Sequence, residues 1–543
     1  MIALFMSLTE SEPRGLRRWR RAVLAKAPVL LGITSALVTA FVWAGSDFGA
    51  VKHDEAAYEL QAEIFAHGRW SLATPEPSEF FEQTHVLIEP TLASKYPPGH
   101  SLLMSLGAMV GAVSLVSLLL TAVAGTLVYS LAVRVAGGSV GLLTWAIWTT
   151  SAQNLYWRAS MFSELTTSAA ILMAWWLVLR WRDRPGAATL GALAGVVAWG
   201  GITRPLTMLA LSLPIAWIVM RFAIRERRWR ELGLAAAVGF VVLGIWPAWS
   251  YGTLGSATRS PHSEYTEQYM PWDRIGFGLS SEEPLRQGPP DVEFLLSAQF
   301  GELHENHQPA ALPGILGHRI LNLLFLEFRG WRIAFLVFAV VGVFLQPRLA
   351  TFLGASVAFL ILAYLPYAHA SDWTVYYLEI LPVGCFFIAV GLVELFERSE
   401  VAVQGSARPA AGVSSSGVLV AAVLVAILGL SVPSIIGVRE TLAKRAGPLK
   451  GLESCLAGVR IPAGVIVRYA PDHVMHLSLV RNVAEPATAP VITALDRGPD
   501  NDRLLRARPE RIWYLYDERA NTLARLETGQ ASSRRSEVVR TCQ

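Results

Sequence analysis

Runs of mostly apolar residues recur from residue 28 to residue 437 of this chain, with short arginine clusters between them. A helix crossing a bilayer needs about 20 apolar residues. Inside the hydrocarbon every backbone polar group must find its partner within the protein, which makes helices the spanning element for runs of this length. The sequence is 53% hydrophobic and 16% charged, against roughly 25% charged in an average soluble domain, so lipid is the expected solvent for much of it. The arginines cluster between apolar runs and do not mark one face, as topology signals do, and nucleic acid is not an expected partner.

Arg14, Arg17, Arg18, Arg20, Arg21 and Lys26 precede the first apolar run, residues 27–45. That run exceeds the roughly 7 to 15 residues of a signal-peptide core and reads as a retained anchor, with residues 1–27 in the cytoplasm. An apolar stretch of about 35 residues follows the first loop, too long for one span, and divides into a re-entrant or interfacial piece at 101–111 and a helix ending at Arg134. Further helices are expected at 140–157 and 162–181, one ending near Thr203, then at 206–222, 232–250, 331–346, 350–367, 375–396 and 416–437. Residues 315–328 read as an amphipathic surface helix.

The total is about eleven transmembrane helices. Arg182, Arg184 and the cluster from Arg221 to Arg230 fall on the cytoplasmic side of this scheme, which leaves the loops 46–99 and 251–330 and the tail outside. The tail, residues 438–543, carries short strand-like runs at 464–469, 491–495 and 511–516 broken by Pro, Gly and Asp. The expected fold class is therefore an all-α polytopic membrane domain, residues 28–437, with a small α/β extracytoplasmic domain. Of three cysteines, Cys385 lies in an apolar run and reads as a packing residue. Cys455 and Cys542 both lie in the tail, where an oxidising compartment allows them to form a disulfide.

The residues able to do chemistry gather on the outer side of that topology. His53-Asp54-Glu55 opens a helix just after the first span, where acids also serve simply as helix starts. Lys95-Tyr96-Pro97-Pro98-Gly99-His100 ends the same loop and sets a cation and an imidazole at the interface, a position that suits a phosphate as well as an ordinary membrane anchor. Arg158 with Glu164, Arg204, His369 with Asp372, and Tyr376 with Glu379 also reach this side. An outward arginine runs against the usual preference and calls for an acidic partner or a bound phosphate, with Glu164 the nearest candidate for Arg158.

Asp-Glu after helix 1, Lys-Tyr-Pro-Pro-Gly before an apolar helix, Ser163-Glu164 early in helix 4, and Tyr376-Tyr377-Leu378 with Leu381-Pro382 in helix 10 together resemble the GT-C polytopic glycosyltransferases. Within them the chain is most similar to the bacterial dolichyl-phosphate-mannose-protein mannosyltransferase-like class, with its RgtA/B/C/D-like and aminoarabinose-transferase-like enzymes, over residues 28–400. That resemblance implies a bacterial inner-membrane enzyme that moves a single sugar, with inversion, from a polyprenyl-phosphate donor to a lipid, glycan or protein acceptor. It implies Asp54 as general base, supported by Glu55, with Lys95, Tyr96, His100 and Arg204 at the donor phosphate. Arg158, Glu164, His369, Asp372, Tyr376 and Glu379 are expected around the substrate cavity.

Ala56 and Ala57 stand where the aminoarabinose branch carries an arginine, which makes that donor less expected, and the oligosaccharyltransferase signature Trp-Trp-Asp-Tyr-Gly is absent. No closely spaced carboxylates call for a metal, so no cofactor is assigned and a divalent ion is left open. Two other functions compete. A flippase for lipid-linked glycans predicts midplane ionisable residues and paired broken helices, which the sequence does not show. A non-catalytic envelope scaffold predicts that Asp54 and Lys95 are dispensable.

Overall fold

The structure, a computed structural model, describes residues 14–278, 284–294, 301–404, 415–527 and 538–542. The expected cytoplasmic N-terminus is thus described only from Arg14, and parts of the 251–330 loop and of the tail lie outside the described residues.

All the expected spans are helical, but they are not all uninterrupted spans. Among the described residues seven helices are long and apolar enough to cross a membrane: Ala25–Ser46, Val113–Ala136, Pro205–Arg225, Trp229–Leu254, Pro309–Glu327, Thr374–Arg398 and Ser416–Arg445. The pair Gly330–Leu345 and Pro347–Ala363, bent by 117°, makes an eighth if counted as one span. Length and apolarity alone thus admit fewer spans among the described residues than the eleven or so expected. The 140–157 run breaks into Gly138–Thr149 and Ala152–Arg158. Glu164–Asp183 carries charges at both ends, and Ala187–Gly201 has only 15 residues.

The supposed surface helix at 315–328 belongs to Leu312–Glu327, within a segment apolar enough to span, of whose window only 6% is buried in the protein. Large apolar side chains such as Phe240, Val241, Trp217 and Phe344 are exposed on the outside of the bundle. A belt of that kind is stable only with lipid as its solvent, so this is a multi-pass membrane protein.

The break at Thr150-Ser151 has a cause in two buried arginines. Arg158 donates to the Thr149 carbonyl at 2.7 Å, and Arg332 donates to the carbonyls of Ile147 at 3.0 Å and Thr150 at 2.8 Å. A helix end left without partners in a membrane costs several kcal/mol per group, and these guanidinium groups supply the donors. Elsewhere small residues let helices approach closely: at Gly342 and Gly391 an added Cβ would strike the carbonyls of Phe387 and Phe338 on the facing helix.

The first loop folds as the helix His53–Ala66 and three short strands, β1 (Leu72–Ala73), β2 (Val86–Leu87) and β3 (Thr91–Ser94), in the order β1-β3-β2. The separate helix Pro98–Ala108 follows, then Val113–Ala136, as the division of that long apolar stretch requires. The last long helix continues to Arg445, beyond the boundary expected near residue 437.

The C-terminal domain is a five-stranded sheet of β4 (Ala463–Arg468), β5 (Val491–Leu495), β6 (Ile512–Asp517), β7 (Thr522–Arg525) and β8 (Val538–Thr541), ordered β5-β4-β6-β7-β8. β4 pairs in parallel with β5 and β6, and the last two strands add antiparallel. Cys455 and Cys542 are joined as a disulfide, tying the helix Gly447–Leu456 to the end of the sheet. This domain shares a core with the first loop: Phe80 and Phe81 pack with Ile466 and Trp513. Polar contacts also cross, from Arg445 to the Val51 carbonyl at 3.1 Å and from Asn482 to the Phe81 carbonyl at 2.8 Å.

Candidate active site

Asp54 and Glu55 occupy the first turn of the helix His53–Ala66 but serve different surroundings. Glu55 is fully buried, ion-paired with Lys52 at 3.2 Å and accepting from the Met161 amide at 3.1 Å. Asp54 faces a cavity of about 680 Å³. The first loop, the ends of several helices and the C-terminal domain all contribute to its wall.

Lys95 and Tyr96 enter that cavity from the segment between β3 and the helix Pro98–Ala108. The Tyr96 hydroxyl donates to Asp54 Oδ1, and its ring stacks on Tyr58 with centroids 4.4 Å apart. Lys95 is buried, 3.8 Å from Asp273 and over the Tyr265 ring. Burial lowers its pKa, while the carboxylates of Asp273 and Asp54 act in the opposite direction. Arg204, just before the helix Pro205–Arg225, is ion-paired with Glu164 and donates to the Tyr364 hydroxyl at 2.9 Å, with its guanidinium over the Tyr376 ring. Asp372 and Tyr376 also line the wall, together with Trp157, Phe162, Leu206 and Trp246.

The structure separates the other residues singled out from sequence. His100 is buried with both ring nitrogens occupied, by Thr166 at 2.8 Å and the Met161 carbonyl at 2.9 Å, so it braces the loop and does not face the cavity. Arg158 caps the helix break described above and lies against the Trp148 ring. It is not the partner of Glu164; that place is taken by Arg204. His369 is held by the Tyr377 hydroxyl at 3.0 Å and by the Ala370 carbonyl, and Glu379 is fully buried against Thr167. Neither lines the cavity.

Sequence reasoning missed Asp273, Arg445 and three of the four histidines that face the cavity, His85, His262 and His476. Nothing in their spacing links them. His53 Nε2 lies 3.5 Å from Asp54 Oδ2, His85 Nε2 lies 3.7 Å from Asp54 Oδ1, and His476 Nδ1 lies 3.1 Å from His53 Nε2. Ligand atoms of His53, Asp54 and His85 all fall within 4.8 Å of one another. Burial, then the neighbouring His476, Arg445 and Lys95, hold the His53 pKa well below its ordinary value, and burial followed by Lys95 does the same for His85. Both rings are therefore neutral at pH 7.

No family model and no curated protein matches the chain. Solved structures similar to it include a crystal structure of ArnT from Cupriavidus metallidurans bound to undecaprenyl phosphate, at 15% identity over 91% of this chain and 93% of that one, with a TM-score of 0.46. The apo state of the same protein gives 14% identity, 89% and 95% coverage and a TM-score of 0.48. The arabinosyltransferase EmbB from Mycobacterium smegmatis gives 12% identity over 81% of this chain and 41% of that one, with a TM-score of 0.37. With these TM-scores below 0.5, what the cavity does is argued from its own residues.

Proposed function

We propose that this chain is a membrane glycosyltransferase that moves one sugar from a polyprenyl-phosphate donor to a hydroxyl of a lipid, glycan or protein acceptor. The observation that carries the reading is that Asp54, Lys95 and Arg204 face one cavity whose remaining wall is largely aromatic and aliphatic. Apolar walls suit an isoprenoid, buried cations suit its phosphate, and a partly exposed carboxylate suits removal of a proton.

In this reaction the acceptor hydroxyl gives its proton to Asp54 while its oxygen bonds to the anomeric carbon. The bond from that carbon to the phosphate oxygen breaks, and its electron pair leaves on the phosphate. A single displacement of this kind inverts the anomeric centre. Lys95 and Arg204 face the charge that grows on the departing phosphate, and cations already held by Asp273 and Glu164 need little reorganisation to do so.

The helix Pro205–Arg225 supports a sidedness: Arg204, just before its N-terminal end, lines the cavity, while the opposite end carries Arg225. Basic ends face the cytoplasm, so the proposed reaction runs on the outer face of a bacterial inner membrane, with the N-terminus inside and the C-terminal domain outside.

The test is incubation of the purified protein with a panel of radiolabelled polyprenyl-phosphate sugars, scoring lipid, polysaccharide and protein fractions. Asp54→Asn should lower transfer by on the order of 10² to 10⁴. Turnover close to that of the unaltered protein would remove Asp54 from the role of base, and no transfer from any donor in the panel would remove the reading.

A further inference from the structure

A second cavity, of about 360 Å³, lies within the helical bundle and shares no lining residue with the one that Asp54 faces. Three helices border both, at opposite ends. Glu164–Asp183 offers Glu164 to the Asp54 cavity and Trp175 to this one, and Pro205–Arg225 offers Leu206 to the first and Ile218 to the second. Pro347–Ala363 places Arg348 here, while Tyr364, just beyond its other end, lines the first. We propose that this cavity holds one anionic glycerophospholipid of the cytoplasmic leaflet, with its phosphate at Arg182 and Arg348 and its ester region at Trp175.

The bend at Gln346 makes the space. Leu336–Leu345 packs on Leu381–Gln404, whereas Pro347–Ala363, turned by 117°, packs on Pro205–Arg225. Phe352, Val383 and Phe386 wall the gap between the diverging helices. Left empty, an apolar gap forfeits dispersion contacts along its whole lining, and an acyl chain restores them. Arg182 and Arg348 also line it, and among the described residues neither has an ion-pair partner. Asp183, the nearest acid in sequence to Arg182, is taken by Arg134 at 2.5 Å. Basic pockets between spanning helices on the cytoplasmic side suit anionic lipid head groups.

The preference for arginine at cytoplasmic helix ends explains two cations there, but it does not explain Trp175. That residue is 7% exposed and lines the cavity, yet its indole Nε1 has no acceptor among the described residues. Buried donors are nearly always paired, so the occupant must bring an acceptor as well as a phosphate. Trp175 and Arg182 lie on one face of one helix, two turns or about 10 Å apart along its axis. A glycerophospholipid carries its acceptors in that order, the phosphate at the membrane edge and the ester carbonyls deeper, with the chains below. A polyprenyl phosphate has the phosphate but no ester.

The site is independent of sugar transfer; only its leaflet rests on the sidedness argued above. Full-length protein is purified in mild detergent and its retained lipids are identified by mass spectrometry. Rebinding is then measured with phosphatidylglycerol, phosphatidylethanolamine and undecaprenyl phosphate in mixed micelles. An anionic phospholipid should be retained, and phosphatidylglycerol should bind best. Replacing the cavity pair by Arg182→Gln with Arg348→Gln should weaken phosphatidylglycerol binding by roughly 30-fold. Arg225→Gln with Arg227→Gln, an equal loss of charge outside the cavity, should leave it unchanged. Trp175→Phe keeps a ring and removes the N–H, and should weaken phosphatidylglycerol and phosphatidylethanolamine alike by about 5-fold. Arg182→Lys with Arg348→Lys should keep most of the binding and so separates loss of charge from loss of fold. Absence of any bound phospholipid, equal binding of undecaprenyl phosphate, or an equal loss in the Arg225 and Arg227 pair overturns the site and leaves the reading of Asp54 untouched.

Discussion

The hydroxyl of Tyr96 donates to Oδ1 of Asp54, 42 residues away in sequence, and so joins the two ends of the first loop at the carboxylate on which the proposed chemistry turns. The Tyr96 ring is held independently by stacking on Tyr58, whose own hydroxyl donates to Ser163 at 2.9 Å. Tyr96→Phe should therefore keep the ring in place and remove only the hydrogen bond. A carboxylate free to rotate away from the acceptor loses near-attack geometry, for which losses of roughly 10²-fold are typical. The expected result is a fall in kcat of about that size with little change in KM for the donor. A KM effect without a kcat effect would assign Tyr96 to donor binding.

Arg204 and Glu164 form a buried ion pair, with 12% and 4% of their side chains exposed. Removing one member of such a pair strands the other, at a cost of about 3–5 kcal/mol. Glu164 also opens the helix Glu164–Asp183, whose dipole favours a negative charge there, so stranding Glu164 should cost less than stranding Arg204. Thermal melting in detergent should rank Glu164→Gln below Arg204→Gln in stability, with the double variant above Glu164→Gln. Melting of all three at the temperature of the unaltered protein would mean that the pair contributes nothing to the fold.

Apolar run length and arginine placement made the helices legible, including the split between Pro98–Ala108 and Val113–Ala136, and the strand-like runs of the tail fell within about one residue of β4, β5 and β6. Helix breaks were not legible. Thr150 and Ser151 look like ordinary membrane residues, and the donors that satisfy the broken backbone, Arg158 and Arg332, are recognisable only once folded. Partner choice failed for the same reason. Arg158 and Glu164 are close in sequence, yet Glu164 pairs with Arg204 across a helix boundary. Periodicity and spacing report local structure, and they carry no trace of contacts such as His53 with His476 that exist only when distant segments meet.

The disulfide between Cys455 and Cys542 closes a loop with a sequence separation of 87 residues. Loop closure of this length lowers the entropy of the unfolded domain by the equivalent of about 4–5 kcal/mol in the chain-entropy model. Non-reducing peptide mapping should recover the two cysteines linked. Cys455→Ser should make the C-terminal domain far more sensitive to protease in mild denaturant, without altering the helical bundle. Protease resistance unaffected by the substitution would show that the bond adds no stability.

His473 sets a pH dependence in the same domain. Its Nδ1 lies 2.7 Å from Glu518 Oε1 and its Nε2 lies 2.5 Å from the Leu477 carbonyl, so both nitrogens face acceptors and both must carry protons. Burial alone would lower its pKa, but the bonds to Glu518 and Leu477 outweigh it and raise the pKa above the ordinary 6.5. A histidine whose folded pKa lies above its unfolded one stabilises the fold fully below the unfolded value, and that contribution disappears as pH rises through the folded value. Asp291, pushed up to about 6 chiefly by burial, is ionised in both states across the alkaline part of this range and adds little slope there. The melting temperature of the C-terminal domain should therefore fall as pH rises above the ordinary histidine value of about 6.5, and His473→Gln should flatten that fall. A slope unchanged by the substitution would place the titrating group elsewhere.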